Sequence, residues 1–324
     1  MSAPDTVDHQ QQAMKRVLIA AVPGLVAMFW LYGWGVLINL FLACSYALLM
    51  EAGVYRLRGH PNARDMSSMV TATLLAVALP PYCPWWICLG AVTSALLLGK
   101  HLYGGKQNPF NPAMVGYALM LVAFPQPMTH WPAPHGMDLL AGLQQVFGLH
   151  SNTPDAWAGA TALDVLHINR SLTIDELFAA SPAFGHIAGR GSEWVNLAFL
   201  AGGVFLLQQR VFSWHAPVGM LGSLFVISLL CWNGSGSDSH GSPLFHWFTG
   251  ASMLGAFFIV TEPVSGAKSP RARLFFGAGV GLLTYLIRTW GGYPDGVAFA
   301  VLLMNLAVPA LERWATPKQP AVNS

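Results

Sequence analysis

From Val17 to Met50 no side chain carries a charge. A helix of about 20 apolar residues crosses ~30 Å of hydrocarbon, and lipid offers no partner for an irregular backbone. Such a stretch is therefore read as two membrane crossings joined by a short turn. Eight further apolar runs follow. The expected spans are 17–34, 35–54, 66–80, 84–100 and 109–125, then 194–209, 215–232, 244–262, 272–290 and 295–312. Charged residues make up only 9% of the chain against 54% hydrophobic, with a mean hydropathy of +0.49. That is too little charge to cover a water-soluble globule. The fold class is all-α and polytopic, with about ten transmembrane helices. The opening residues are polar and no small-residue cleavage site follows them, so no removable signal peptide is read.

The net charge of +2 is explained by topology rather than by an acidic partner such as a nucleic acid. With the N-terminus inside, the cytoplasmic segments hold Lys15, Arg16, Arg56, Arg58, Arg64, Lys100, Lys106, Arg210, Lys268, Arg271, Arg273, Arg313 and Lys318. The opposite face keeps Arg170, Arg190 and Arg288. Thirteen bases against three choose this orientation under the positive-inside rule. Both termini are then cytoplasmic, and the long polar connection 126–193 lies outside.

The two sets of five spans echo one another. "LYGGKQNPFNPA" (Leu102 to Ala113) resembles "TWGGYPDGVAFA" (Thr289 to Ala300), and "MVTATLLAVALPP" resembles "SMLGAFFIVTEP". The third and eighth spans are short, and each halts at a proline, Pro80 or Pro263. An odd number of spans per copy places the second copy upside down, giving a five-plus-five inverted repeat with Pro/Gly-broken helices. The organisation read is 1–125 as the first five-helix repeat, 126–193 as an external loop and 194–324 as the second repeat. Matching Gly/Pro interruptions point to a midplane site. Asn108, Asn111 and Pro112, with Pro294 and Asp295, are its candidates.

Isolated polar groups carry less. Cys44, Cys88 and Cys231 fall within spans and Cys83 at an external turn, without a CxxC pair, so they read as small hydrophobes. His130, His135, His150, His167 and His186 are spread along the connection without metal-ligand spacing. Glu51, Lys100, Glu262 and Arg288 stand at span ends, where snorkelling reaches water. "YCPWW" and "TWGGY" read as interfacial aromatic belts.

The connection contains one bare hydroxyl, Thr161, after Gly159 and Ala160 in "DAWAGATALDVL". Small neighbours let a bulky group approach the threonine without meeting a Cβ. Thr161 with Asp164 also fits a helix-capping box. The connection's only Lys/Arg side chains are Arg170 and Arg190, too sparse for a noncovalent phosphate cradle.

The chain resembles the NqrB/RnfD family: the D subunits of Rnf ion-translocating ferredoxin:NAD oxidoreductases and the B subunits of sodium-pumping NADH:quinone reductases. The likeness runs through "FWLYGWGVLINLFLA", "RLRGHP", "SMVTATLLAVALPP", "GKHLYGGKQNPFNPAMVGYA" and "TEPVSGAKSPRARLFFG". It implies that a flavin transferase joins FMN through its phosphate to a threonine in a pattern close to D-G-x-[ST]-[GS]-A-T. That pattern falls on Asp155, Ala156, Trp157, Ala158, Gly159, Ala160 and Thr161. Asp155, Gly159, Ala160 and Thr161 match; Ala156 replaces the usual Gly and Ala158 the usual hydroxyl residue. The resemblance further implies electron transfer coupled to Na⁺ or H⁺ movement in a bacterial inner membrane, with the A, B, C, E and G subunits of Rnf as partners. It also raises a second, noncovalent riboflavin near Asn108, Asn111 and Pro112. The rival readings are a solute channel or transporter of the same inverted-repeat architecture, and a scaffold without cofactor. Neither would carry a flavin.

Overall fold

The computed structural model describes the chain except residues 1–2, 60–65, 105–106, 150–156, 170, 235, 237–239, 294 and 316–324. The uncharged run forms α1 (Ala3–Tyr32) and α2 (Trp34–Leu57), parted by Gly33 at φ 74°. Then come α3 (Ser67–Ala78), α4 (Trp85–Ser94) and α5 (Pro112–Ala123). Beyond α4 the chain continues as a π-helical turn, Ala95–Lys100, and a 3₁₀ turn, His101–Tyr103. The later part holds α10 (Ser192–Gln208), α11 (His215–Leu230), α12 (Pro243–Phe248), α13 (Ser252–Leu254), α14 (Pro270–Trp290) and α15 (Val297–Ala315). A π-helical turn, Gly255–Ile259, extends α13. Among the described residues the only strands are β1 (Trp131–Pro132) and β2 (Ala158–Gly159).

This is an all-α polytopic membrane protein. Gln10–Tyr32, Trp34–Leu57, Trp85–Tyr103 and Val297–Ala315 are long and apolar enough to cross a bilayer. α3 and α5, at 12 residues each, rise only about 18 Å. For α3 the stop is the Leu79–Pro80 step. The carbonyl of Pro80, which α3 cannot use, accepts from Asn39 Nδ2 of α2 at 2.9 Å.

Packing is alike in the two parts. α2 lies against α3 and α4, and α4 against α5; α11 lies against α12 and α14, and α14 against α15. The parts meet where α1 crosses α10 and where α5 crosses α15. Close approach depends on small residues, as it does between helices in lipid. At the α11–α14 crossing a Cβ on Gly277 would stand 2.1 Å from the Ala216 carbonyl oxygen, and one on Gly281 2.1 Å from that of Met220. Backbone cannot step aside as a flexible side chain can. Gly281→Val is expected to lower the thermal midpoint in detergent by an overpacking cost of about 1–3 kcal/mol; an unchanged midpoint would show that the two helices are not held together at this point.

Residues 125–191 cap one end of the bundle with α6 (Pro125–Thr129), α7 (Leu139–Phe147), α8 (Ala162–Ile168) and α9 (Ile174–Ala180). Tyr82 anchors the cap. It is fully buried rather than part of an interfacial belt, its hydroxyl donating towards the Tyr32 and Met137 carbonyls at 3.0 Å and accepting from Met137 N at 2.9 Å. Trp85, Trp86 and Trp290 are exposed, as belt residues should be.

The span-end charges need correction. Lys100, Glu51 and Arg288 do not snorkel; they are 2%, 7% and 4% exposed. Each has an opposite charge within reach, and burial is tolerable only for charges paired and hydrogen-bonded in this way. Glu262 is half-buried and accepts from the backbone N–H groups of Val264 and Ser265 just past the eighth span. Cys83, expected at an external turn, is buried beside Cys88, and the four cysteines are free.

Candidate functional site

The eighth span is not continuous. α12 ends at Phe248 and α13 begins at Ser252, with Gly250 between them at φ 57°. Side chains from distant helices satisfy the exposed backbone. Arg288 Nη1 donates to the His246 carbonyl at 3.0 Å, and Nη2 to the Thr249 carbonyl at 3.3 Å and to Ser252 Oγ at 3.1 Å. Asp295 pairs with Arg288 at 3.1 Å and accepts from Ala251 N at 2.8 Å. Asn196 Nδ2 donates to the Phe248 and Gly250 carbonyls, and its Oδ1 accepts from Met253 N.

The first part contains a counterpart. Lys100 Nζ donates to Glu51 Oε1 at 2.9 Å and to Ser68 Oγ at 2.7 Å. Ser68 and Ser252 occupy the matching serines of "SMV" and "SML", 184 positions apart. In each part a cation near the end of the fourth crossing binds a carboxylate and a serine in the first turn of a short helix, Ser68 in α3 and Ser252 in α13. Sequence reading missed both clusters, although the repeated Ser-Met step was visible.

The cap sits on the break. Leu163 of α8 packs at Gly250, where an added Cβ would lie 2.9 Å from Leu163 Cδ1. His167 Nδ1 lies 2.9 Å from the Arg288 carbonyl oxygen. Ala162 and Leu163 are buried with Leu177, Phe184, Ala188 and Phe245. Thr161 and Asp164, beside these buried residues, are half-buried.

Thr161 is the N-cap of α8 at φ −75°, ψ 160°. Its Oγ1 accepts from Asp164 N at 3.2 Å, while its N–H and hydroxyl donate to Asp164 Oδ2 at 2.9 and 2.6 Å. The capping box is therefore present, and Thr161 is half-buried beside exposed Gly159 and Ala160. β2 fixes the approach: Gly159 pairs with Trp131 and Ala158 with Pro132, antiparallel. A Cβ on Gly159 would come no nearer than 3.7 Å to Ala133, so the backbone here does not demand glycine. What glycine and alanine provide is a pair of small, exposed residues leading to the threonine. These residues fit a covalently attached group.

Thr173 is an internal comparison. It caps α9 in the same way, its N–H and hydroxyl donating to Glu176 Oε2 at 2.9 Å. These bonds, led by the one from the Thr173 backbone, hold the exposed Glu176 carboxyl below the ordinary carboxylate range. Leu172 precedes Thr173 where Ala160 precedes Thr161.

Among the other candidates, Asp155 and Pro294 lie outside the described residues, as do His150 and Arg170. Asn111 is fully engaged: it caps α5 by accepting from Met114 N at 3.2 Å, donates to the Ile259 carbonyl at 3.3 Å, and its own N–H donates to Asn305 Oδ1 at 3.0 Å. Pro112 opens α5 and packs against Gly99, whose added Cβ would be 2.7 Å from Pro112 Cα. Both join helices. Asn108 is buried with Oδ1 unpartnered among the described residues, so it alone of the three keeps an unused acceptor. His135 and His186 are exposed, while His130 and His167 are half-buried.

The model of the NQR2, RnfD, RnfE family matches residues 4–320. The chain is 62% identical over 315 residues to the D subunit of the ion-translocating oxidoreductase complex of Ectopseudomonas mendocina (strain ymp), covering 96% of this chain and 92% of that one. Identity to the protein of the same name from Pseudomonas aeruginosa (strain UCBPP-PA14) is 63% over 310 residues, covering 94% and 90%. To that of Cellvibrio japonicus (strain Ueda107) it is 49% over 323 residues, covering 96% and 91%. With a match over almost its whole length, the chain belongs to the NQR2, RnfD, RnfE family.

Proposed function

We propose that this chain is the D-type membrane subunit of an ion-translocating oxidoreductase complex, carrying FMN as a phosphoester on Thr161. Membership of the family and identity above 60% to relatives of the D type support the coarser part. The observation that carries the finer part is the placement of Thr161: a reachable hydroxyl at a helix start, behind Gly159 and Ala160, on the cap. Bound there, the flavin supplies reversible electron transfer, and the chain supplies the tether and the position. A covalent bond does the work that arginines perform in noncovalent phosphate sites, which suits the sparse basic residues of the cap. In the proposed arrangement the cap faces the periplasm from an inner membrane, with both termini cytoplasmic, an orientation that the distribution of bases supports. On this reading the flavin exchanges electrons with a carrier on a neighbouring subunit, in an assembly of A, B, C, D, E and G subunits that moves Na⁺ or H⁺.

The test is expression with and without a flavin transferase, followed by a denaturing gel viewed under ultraviolet light. The band is expected to fluoresce only with the transferase. A dark band under both conditions would favour a conductor or scaffold without cofactor.

A further inference from the structure

The geometry points to Asp164 as the group that takes the proton from Thr161 when the flavin is attached. This rests on Thr161 being the attachment site and adds the chemistry by which its hydroxyl becomes a nucleophile. Threonine hydroxyls are weak nucleophiles unless a base removes the proton as the new bond forms. A base must lie within about 2.6–3.2 Å of the oxygen it serves. Asp164 Oδ2 is 2.6 Å from Thr161 Oγ1 and accepts its hydrogen.

Two backbone hydrogen bonds hold the pair in register. Thr161 N donates to the same carboxylate oxygen at 2.9 Å, and Asp164 N donates to Thr161 Oγ1 at 3.2 Å. The second bond matters for chemistry. It occupies one lone pair of Oγ1 and the hydroxyl hydrogen is committed to Asp164, so the remaining lone pair is free to attack. The two side chains carry this role, not the end of the seven-residue helix they cap.

The step balances as follows. Thr161 Oγ1 attacks the flavin-bearing phosphorus of a flavin dinucleotide, in which FMN is joined to a nucleotide through a pyrophosphate. The Oγ1–P bond forms, and the P–O bond of the pyrophosphate breaks. The nucleoside monophosphate leaves with that electron pair. The hydroxyl proton passes to Asp164 Oδ2 and from there to solvent. Thr173 and Glu176 repeat the pair at 2.9 Å, but there Leu172 precedes the threonine where Ala160 precedes Thr161. The base together with the small residues before the hydroxyl is what distinguishes Thr161 from Thr173.

Asp164→Asn separates this role from capping. Its amide oxygen can still accept from Thr161 N, but the side chain cannot take up a proton. The full-length chain in detergent is incubated with purified transferase and flavin adenine dinucleotide, and in-gel fluorescence is followed with time. Labelling of Asp164→Asn is expected to be at least about 10²-fold slower than native, the usual contribution of a general base, with proteolysis of the cap unchanged. Asp164→Ala is expected to be equally slow and to regain speed in added formate, a small carboxylate that can occupy the vacated space. A purely structural role would show no formate rescue. Labelling of Asp164→Asn within threefold of native overturns the proposal, as does slow labelling of both variants accompanied by faster proteolysis and no response to formate. A native chain that takes up no label sinks the attachment reading itself, so the two failures are distinguishable.

Discussion

Thr161→Ala is expected to abolish covalent flavin, lowering in-gel fluorescence to the level of a transferase-free control, while Thr173→Ala keeps full fluorescence. The two threonines make the same capping bonds, so capping alone predicts equal behaviour. They differ in what stands before them: Gly159 and Ala160 against Ser171 and Leu172. Loss of an N-cap costs about 0.5–2 kcal/mol in either case. Both variants should therefore fold, and only one should go dark. Equal fluorescence from the two would place the flavin elsewhere.

Arg288→Met is the second large effect. It leaves the Asp295 carboxylate without its ion pair and the His246 and Thr249 carbonyls with Ser252 Oγ as a donor but without the guanidinium that ties them to α14. Removing one member of a fully buried pair costs about 3–5 kcal/mol; with the Asp295 side chain 25% exposed the cost here is expected toward the lower end, still a sizeable share of the roughly 5–15 kcal/mol typical of a folded protein. Thermal unfolding in detergent should show a markedly lower midpoint. Arg288→Lys should fall between, since an ammonium keeps the charge but not the planar fork that reaches four acceptor groups at once. A native midpoint for Arg288→Met would mean that Asn196 and the surrounding packing hold the break unaided.

Local rules made much of this legible. An uncharged run from Val17 to Met50 can only be two crossings, and α1 and α2 follow it. Pro80 ends the third span as expected, and T-x-x-D opens α8 at Thr161. What escaped is non-local. The window around Thr249–Gly250–Ala251 is apolar enough to read as one helix, and the groups that permit a break there come from Asn196, Arg288 and Asp295 on other segments. Lys100 at the end of an apolar run looks like a snorkelling base, because Glu51, the partner that lets it be buried, lies 49 positions earlier. Asn111 looked like a ligand residue for a related reason. Its partners Ile259 and Asn305 are brought to it only by the crossing of the two parts, and they turn a polar side chain in a broken segment into a tie between helices.

These distant contacts also explain why the cap is placed where it is. α8 rests with Leu163 on the break and with His167 on the Arg288 carbonyl. Thr161 thereby opens a helix that is packed against the bundle. On the proposed reading this packing suits an electron carrier, whose distance to the next carrier must be reproducible.

The most direct measurement is the mass of the proteolytic peptide containing Thr161, prepared from chain made together with the transferase. The account predicts that the peptide carries one flavin mononucleotide less one water, with fragmentation assigning the added mass to Thr161. An unmodified peptide, or the added mass on Thr173, would contradict it.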